Sequence, residues 1–552
     1  MKFRFSRHGL NRAEGTQQRL FEILPGTASW AVLIGMVGLS FWRPILAAVA
    51  VIAFDLYWLF RLFYMTLFLV LSYLRLSIEH ETDWMARVRG LREIAGQPAR
   101  ASGSGGWKRR FSHLFFRWEV ETFRRSKADL PDAEAIHHLV LVPVAKESRA
   151  VIEPGVQSLA NQTFPTKRIL LVFALERRAL PEIRASVHAL ASAFREKFMD
   201  VLVVEHPSDI PGEARVKGAN TTFAARHAAG YFSARGIAFE NVVASCFYAD
   251  TVVSTQYMAC LTYHYLIYPE RTQASFQPIP VYHNNIWEAP GFARVLDIGA
   301  SFFQLVEATN PETLVTFSSH SMSFKALVDV DYWPVDMISD DSAIYWKAYI
   351  HYDGKYQVIP MYVTVSMDVV AASSWWKTVL NVYKQKRRWA WGVENVPIVM
   401  RAFLHAKAIP IYDRARLMAK LIGSHVAWAT WAFLLTFIGW LPALFAAREF
   451  SDTVLYYSTP RVTGLIFNLA SLALLTTVIL SFCLLPKERV EKPLLKRIGL
   501  ALEWVLVPLS AVFLSALPAL EAQTRLMLGR YMEFWVTEKT RKDEKTYEEK
   551  NA

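Results

Sequence analysis

Two short polar runs carry the side chains best suited to chemistry. Asp340 and Asp341 form an acidic pair, and residues 385–389 read Gln-Lys-Arg-Arg-Trp. A carboxylate can take a proton from a hydroxyl, arginine can hold phosphate oxygens in a fork, and tryptophan offers a flat face to a sugar ring. Together the runs predict a site for a sugar diphosphate beside a membrane. An Arg-Trp pair alone is also typical of a membrane anchor.

The elements that must position these runs include several apolar segments. Hydrophobic residues make up 53% of the 552-residue chain and aromatic residues 14%, which is high for a soluble protein. A span needs about 20 residues, and we expect five such segments. They cover residues 27–42, 44–74, 421–446, 462–485 and 498–520. The pattern predicts a multi-pass protein of the inner or plasma membrane with a central α/β domain.

Lysine and arginine in short loops predict which side of the membrane each loop occupies. Residues 1–20 and 487–497 are basic, so they and the central domain are expected in the cytoplasm. The basic tail, residues 525–550, would lie outside if all five segments crossed. Pro508 and Pro518 could instead break the last segment into a re-entrant hairpin. The sequence leaves both possibilities open.

The net charge of +12 is compatible with nucleic acid, anionic lipid or a phosphorylated substrate. Basic residues cluster beside the apolar segments and no nucleic-acid module is recognisable, so headgroups explain most of them and no nucleic-acid partner is expected. Lys384 and Lys386 are interpreted as headgroup contacts, and Trp391 as an interfacial anchor. The cysteines, Cys246, Cys260 and Cys483, lack disulfide or metal spacing and are interpreted as reduced packing residues.

The central region alternates between strand and helix patterns. Strands are expected at residues 138–144, 168–175, 201–205 and 241–248, and helices at 152–160, 181–198 and 220–232. This alternation predicts a parallel sheet with ligands at the carboxyl edge of the strands. Polar residues stand at that edge, where a carboxylate could hold a divalent cation between phosphate oxygens. Each could instead mark only the end of a strand at the surface, but the set favours a nucleoside-diphosphate site.

The order of these motifs resembles the membrane-bound family 2 glycosyltransferases, which include the cellulose and hyaluronan synthases. The likeness extends from about residue 137 to residue 391. It covers the opening strand and loop, a Q-x-x-P element at 162–165, a Lys-to-Asn element at 217–220, the D-x-D position at 248–250, an acceptor motif at 317–321, the T-E-D position at 339–341, and Q-x-x-R-W at 385–389. The resemblance implies a GT-A (Rossmann-like) cytoplasmic domain inserted between α-helical transmembrane segments.

The resemblance also implies an inverting hexosyltransferase that uses a nucleotide-diphosphate sugar, of which a UDP-sugar is the expected one. Asp341 is the implied general base with support from Asp340, and Asp250 the implied ligand of Mg²⁺ or Mn²⁺. The implied substrate-binding residues are Glu147, Glu176, Lys217, Asn220, Ser321, Gln385, Arg387, Arg388 and Trp389. The acceptor would be a polysaccharide or other glycan, and transfer could be coupled to export with the help of an accessory subunit.

Three residues depart from the family pattern. Tyr248 replaces the first Asp of D-x-D, so a grip by two carboxylates is not available. Ser319 and His320 stand where cellulose synthases have Cys-Gly, which leaves the acceptor open. Asp341 could also be a helix N-cap, because an apolar run follows it.

Two other functions stay open. The enzyme could transfer a single sugar to a membrane lipid, or the chain could be a transporter or channel with an inactive domain, which Tyr248 favours. The expected division is residues 1–74 with two transmembrane helices, 75–136 as a charged linker, 137–370 as the GT-A domain, 371–420 as interfacial helices, 421–520 with three transmembrane segments, and 521–552 as a basic tail.

Overall fold

The centre of the molecule is a mixed sheet of eight strands. A computed structural model describes residues 3–94, 106–445, 454–486 and 499–533. The strands are β1 (His137–Val144), β2 (Ile169–Glu176), β3 (Asp200–His206), β4 (Val242–Cys246), β5 (Val252–Val253), β6 (Ala274–Val281), β7 (Ser321–Ser323) and β8 (Gln357–Ser366). Their order across the sheet is β3-β2-β1-β4-β7-β6-β8-β5.

The four predicted strands correspond to β1 to β4 and pair in parallel. The predicted parallel sheet is confirmed for these four strands, but the whole sheet is mixed, because β7 runs antiparallel between β4 and β6. Strand β8 is parallel to β6, and the short β5 pairs with it in the antiparallel direction. Thus β4, β6 and β8 run in one direction, and their carboxyl ends meet at the same edge of the sheet.

Helices cover the sheet and extend beyond it at both chain ends. They are α1 (Arg12–Trp42), α2 (Pro44–Glu79), α3 (Trp84–Ile94), α4 (Trp107–Ser126), α5 (Arg149–Ala160), α6 (Pro181–Phe194), α7 (Lys217–Ala234), α8 (Tyr257–Ile267), α9 (Gly291–Glu307), α10 (Phe324–Asp329), α11 (Asp340–His351), α12 (Trp375–Ala390), α13 (Asn395–His405), α14 (Ile411–Thr436), α15 (Leu441–Leu444), α16 (Val454–Leu484) and α17 (Gly499–Met527).

The core lies on both faces of the sheet. Val140 and Val142 of β1 point into one hydrophobic cluster, whereas Leu139 and Leu141 point into another. A strand buried on both faces needs apolar residues at every position, which explains the continuous apolar run that predicted β1. As expected, an α/β domain lies between helical segments near the two ends of the chain, and its sheet is a mixed one of eight strands.

Among the described residues, α1, α2 and α17 are long and apolar enough to cross a membrane. The predicted segment 421–446 is not one helix, because α14 ends at Thr436 and a turn at Ile438–Trp440 precedes α15. In α16 the described residues include a shorter apolar stretch, Leu472–Leu484. Residues 95–105 of the predicted linker, the basic loop 487–497 and residues 534–552 of the tail lie outside the described residues.

Helix α17 is one continuous helical run, so the re-entrant hairpin is not formed. A π-helical turn at Val512–Ala516 lies between the segments that begin near Pro508 and Pro518. Both parts of α17 are tied to the central domain. Glu503 pairs with Arg294 of α9 at 2.9 Å, and Glu521 pairs with Arg387 of α12 at 2.6 Å.

Candidate active site

A cavity of about 130 Å³ lies at the carboxyl edge of the sheet. Residues after β4, β6 and β8 form part of its wall, and the start of α11 and the end of α12 close it. The lining residues are Tyr248, Tyr282, Thr316, Phe317, Ser318, Ile338, Ser339, Asp341, Ser342, Met367, Gln385, Arg388, Trp389 and Gly392. The fold therefore brings the two polar runs into one cavity.

Both carboxylate oxygens of Asp341 accept hydrogen bonds. Lys217 Nζ donates to Oδ1 at 2.6 Å, and the Tyr248 hydroxyl donates to Oδ2 at 2.8 Å. Burial alone would raise the pKa of Asp341, but the Lys217 ammonium, His320 and the two hydrogen bonds lower it below the ordinary value. Asp341 thus stays ionised near neutral pH, and its side chain is 17% exposed at the cavity wall.

Asp340 lies behind Asp341 and is buried. Its Oδ2 is 3.1 Å from Lys217 Nζ. Burial, together with the neighbouring charge of Asp341, raises the pKa of Asp340 to about 7, although Lys217 and Arg388 oppose the shift. Burial also acts against the charge of Lys217, but the two carboxylates outweigh it and raise the pKa of Lys217. One ammonium is therefore shared between two acids that differ in proton affinity.

Asp341 is not an N-cap. Ser339 occupies the N-cap position of α11, and Asp340 and Asp341 lie in the first turn. Negative charge in a first turn is favourable because the helix dipole is positive there. The oxygens of Asp341 are directed to Lys217 and Tyr248, so its contacts belong to the cavity.

Glu394 belongs to none of the predicted motifs, and it fixes the loop before α11. Its Oε1 accepts the backbone N–H groups of Ile338 and Ser339 at 3.0 and 2.8 Å, and the Ser339 hydroxyl at 2.7 Å. Its Oε2 accepts Trp391 Nε1 at 2.9 Å. Trp391 is fully buried, so its interpretation as an interfacial anchor is wrong. The sequence signal that could have identified this role is an acidic residue within an otherwise apolar stretch, since a buried carboxylate needs hydrogen-bond partners.

The Q-x-x-R-W run places its members in different surroundings. Arg388 and Trp389 line the cavity, and the Trp389 ring packs against Tyr282 and Phe317 with centroids 6.3 and 5.8 Å away. Gln385 is 3% exposed, and its Oε1 has no hydrogen-bond partner in the described part of the chain.

Lys386 and Arg387, the two basic residues that follow Gln385, do not line the cavity. Arg387 is directed to Glu521 of α17. Lys386 is buried, pairs with Asp297 at 2.8 Å and lies 3.8 Å from the centroid of the Trp389 ring. The interpretation of Lys386 as a headgroup contact is therefore wrong, because its ammonium is enclosed between α9 and α12.

Besides Lys217 and Arg387, four predicted substrate contacts lie outside the cavity lining and have partners within the protein. Glu147 accepts the N–H groups of Ala145 and Lys146. Glu176 lies 3.3 Å from Arg178. Asn220 Nδ2 donates to the Ala174 carbonyl at 2.7 Å. The Ser321 and Ser245 hydroxyls are hydrogen-bonded to each other at 2.7 Å. Their predicted contacts with substrate stay predictions.

Asp250, the predicted ligand of the cation, is not among the residues that line the cavity. It is 3% exposed, and its Oδ2 accepts the backbone N–H of Asp368 at 2.8 Å. No group of three or more His, Cys, Asp or Glu side chains in the described residues could hold a metal ion. Mg²⁺ commonly uses one or two carboxylates with substrate phosphates and water. The Asp250 carboxylate therefore fits an ion that is coordinated mainly by the oxygens of the diphosphate.

No protein-family profile matches the chain, and no curated protein matches it. Among solved structures, it is similar to the mannosyltransferase PcManGT of Pyrobaculum calidifontis in complex with GDP-Man and Mn²⁺, at 15% identity and a TM-score of 0.39, over 81% of this chain and 99% of that chain. It is also similar to S. aureus TarS 1–349 with UDP, at 12% identity and a TM-score of 0.34, over 73% and 94%. At these values, function must be argued from the geometry of the chain itself.

Proposed function

We propose that the protein is an inverting glycosyltransferase that moves a sugar from a nucleotide-diphosphate donor to a glycan hydroxyl at the cytoplasmic face of a membrane. The observation that carries the proposal is the composition of one cavity wall. An ionised carboxylate, Asp341, shares the cavity with the cation Arg388 and the aromatic ring of Trp389. A base, a partner for diphosphate and a surface for a sugar ring are what this transfer requires.

In the proposed reaction the acceptor oxygen attacks the anomeric carbon while the bond to the diphosphate breaks. Asp341 takes the proton of the acceptor hydroxyl. Each carboxylate oxygen has two lone pairs, so the bonds from Lys217 and Tyr248 orient the base and leave acceptor capacity for the proton. Arg388 offsets charge on the leaving diphosphate, and Trp389 supports the acceptor ring.

A divalent cation remains part of the proposal. Asp250 would hold Mg²⁺ or Mn²⁺, with the diphosphate supplying the other charged ligands, and the ion would neutralise phosphate charge. The donor is expected to be a UDP-sugar, from the resemblance of the motifs. Tyr248 leaves this site with one carboxylate but gains a hydrogen bond to the proposed base. Its presence is thus compatible with catalysis and does not itself favour an inactive domain.

The proposed base is tested with Asp341→Asn in purified protein reconstituted in membranes. We expect transfer from labelled nucleotide sugar to fall by about 10² to 10⁴, the range of general-base catalysis, with nucleotide affinity largely kept. Asp331→Asn is the matched control, because Asp331 is 78% exposed and pairs with Arg226. Transfer that persists in Asp341→Asn would refute the base.

The length of the product distinguishes a polysaccharide acceptor from a lipid acceptor. A labelled polymer supports a polysaccharide synthase, whereas a lipid that carries one sugar supports single transfer. If wild-type protein neither transfers nor hydrolyses any nucleotide sugar, the transporter or channel alternative is favoured.

A further inference from the structure

Helix α4 presents an exposed stripe of large apolar residues. Trp107, Phe111, Leu114 and Trp118 are 54%, 47%, 57% and 66% exposed. Their spacing of four and three residues places them on one helix face. Four contiguous exposed side chains of this size form a surface that usually has a partner.

The opposite face of α4 is packed into the protein. Phe116 and Val120 belong to the hydrophobic cluster on one side of the sheet. The helix is thus anchored through a separate apolar face, so the stripe is a second surface and not a displaced part of the core.

Polar contacts fix α4 to the end of α2. Lys108 pairs with Glu81 at 2.8 Å, and Glu119 pairs with Arg75 at 3.2 Å. The hydroxyls of Ser112 and Thr82 lie 2.8 Å apart. Because α2 is one of the helices able to cross a membrane, these contacts hold α4 where α2 ends.

The exposed apolar surface continues along α2 toward this junction. Leu67, Leu71 and Leu74 of α2 are 57%, 49% and 40% exposed at one-face spacing. Leu74 directly precedes Arg75, whose guanidinium contacts α4. The apolar face of a candidate span therefore leads to the stripe of α4.

Basic residues accompany the stripe. Lys108, Arg109, Arg110 and Arg117 belong to the same helix, and at 100° per residue Arg110 and Arg117 lie on one flank of the stripe and Lys108 on the other. Arginine can extend its charge toward headgroups while its methylene groups cover apolar surface. Tryptophan and a basic flank on an amphipathic helix are typical of binding in the membrane interface.

We propose that α4 lies in the headgroup layer of the cytoplasmic leaflet, with Trp107, Phe111, Leu114 and Trp118 at the acyl boundary and Arg110 and Arg117 on anionic lipid. Continuity with α2 and the positive flank favour a lipid surface over a protein partner. This surface is distinct from the catalytic cavity, and its role does not depend on the transfer reaction.

The test measures the depth of single spin labels by electron paramagnetic resonance. The full chain with Cys483→Ser is placed in nanodiscs of phosphatidylcholine and phosphatidylglycerol, since Cys246 and Cys260 are buried. Labels are attached at Phe111→Cys and Trp118→Cys, with His113→Cys on an exposed position off the stripe as the control. We expect a severalfold higher ratio of collisions with oxygen to collisions with a water-soluble nickel chelate at 111 and 118 than at 113.

Charge is tested by Arg110→Gln/Arg117→Gln on the Trp118→Cys background. The oxygen-to-nickel ratio should fall in the double variant, and also in nanodiscs without phosphatidylglycerol. Arg235→Gln, an exposed change at the end of α7, should leave it unchanged. Equal ratios at 111, 113 and 118 would overturn the proposal. Labels on the stripe that are shielded from both reagents would also overturn it, since they would indicate a protein cover such as a second copy.

Discussion

At the scale of residues, one ammonium organises the proposed base. Lys217 contacts Asp340 and Asp341, and its Nζ lies 4.2 Å from the centroid of the Tyr248 ring. The two acids differ because Asp341 also receives the Tyr248 hydrogen bond, whereas Asp340 is more deeply buried. The charge of Asp340 raises the proton affinity of its neighbour, which makes Asp341 a stronger base.

This difference predicts the pH dependence of transfer. Because the pKa of Asp340 is raised to about 7, Asp340 becomes neutral as pH falls through that value, and Asp341 becomes a weaker base. We expect the rate to fall on the acidic side of about pH 7. Asp340→Asn should lower the rate by roughly tenfold at high pH and remove this limb of the profile.

The pH profile of the rate, measured with saturating donor, checks this expectation. Asp209→Asn is the control, since Asp209 is 82% exposed. A profile in Asp340→Asn with the same acidic limb as the wild type would assign that limb to another group.

Because no group of three or more possible metal ligands is present among the described residues, we expect cation binding at Asp250 to depend on nucleotide. Mn²⁺ alone should bind weakly, whereas Mn²⁺ with a nucleoside diphosphate should bind together, because phosphate oxygens supply most of the charge. The signal of free Mn²⁺ in electron paramagnetic resonance measures this. Asp250→Asn should reduce the cooperative binding. Tight binding of Mn²⁺ in the absence of nucleotide would contradict the expectation.

At the scale of elements, the contact between α9 and α12 supports the cavity from behind. Lys386 and Asp297 form a buried ion pair with side chains 5% and 3% exposed. The same ammonium lies against Trp389, which lines the cavity. This ion pair therefore couples the packing of α9 against α12 to the position of the Trp389 ring.

Removing one partner of this buried ion pair should lower the free energy of unfolding. We expect Lys386→Met to destabilise the fold by about 3–5 kcal/mol, because it leaves a buried carboxylate unpaired. Lys420→Met breaks a more exposed pair with Glu307, 35% and 22% exposed, and should cost about 1 kcal/mol or less. Denaturant unfolding of the two variants in matched detergent provides the comparison. The double change Asp297→Asn/Lys386→Met should recover part of the loss, and equal losses in the two single variants would contradict this account.

The sequence predicted elements well where the pattern was local. Continuous apolar runs identified β1, β2 and β4, since both faces of these strands are buried. The three-residue β7 is Ser-Met-Ser and gives no such pattern, so its antiparallel insertion depends on long-range pairing. The association of Asp341 with Arg388 followed from motif order. Asp297, which pairs with Lys386, and the loop at 338–339, which Glu394 holds, are distant in sequence from those residues and were not predictable.

At the scale of the whole molecule, α17 contacts the central domain over most of its length. Glu503 and Glu521 are roughly five turns and about 27 Å apart along the helix. Both pair with arginines of the domain, Arg294 and Arg387. A helix that crossed the membrane away from the domain would reach it with one end only. The two ion pairs predict that α17 lies along the domain, with both of its ends on the same side of the membrane.

This placement predicts that both ends of α17 lie on one side of the membrane. Gly499→Cys and Arg530→Cys, each in a Cys483→Ser background, should react with an impermeant maleimide in inside-out vesicles and not in right-side-out vesicles. His8→Cys near the N-terminus is the reference for the cytoplasmic side. Reaction of position 499 from the opposite side would show that α17 crosses the membrane.

The contact of Tyr248 with Lys217 and Asp341 also constrains how this site can change during evolution. An aspartate at position 248 would place a third acid around one ammonium, where a neutral hydroxyl now donates a hydrogen bond. Such a change alone would add repulsion beside the proposed base. We therefore expect the effect of Tyr248→Asp to depend on the residues at positions 217, 340 and 341, and to be smaller when a further cation is introduced beside them.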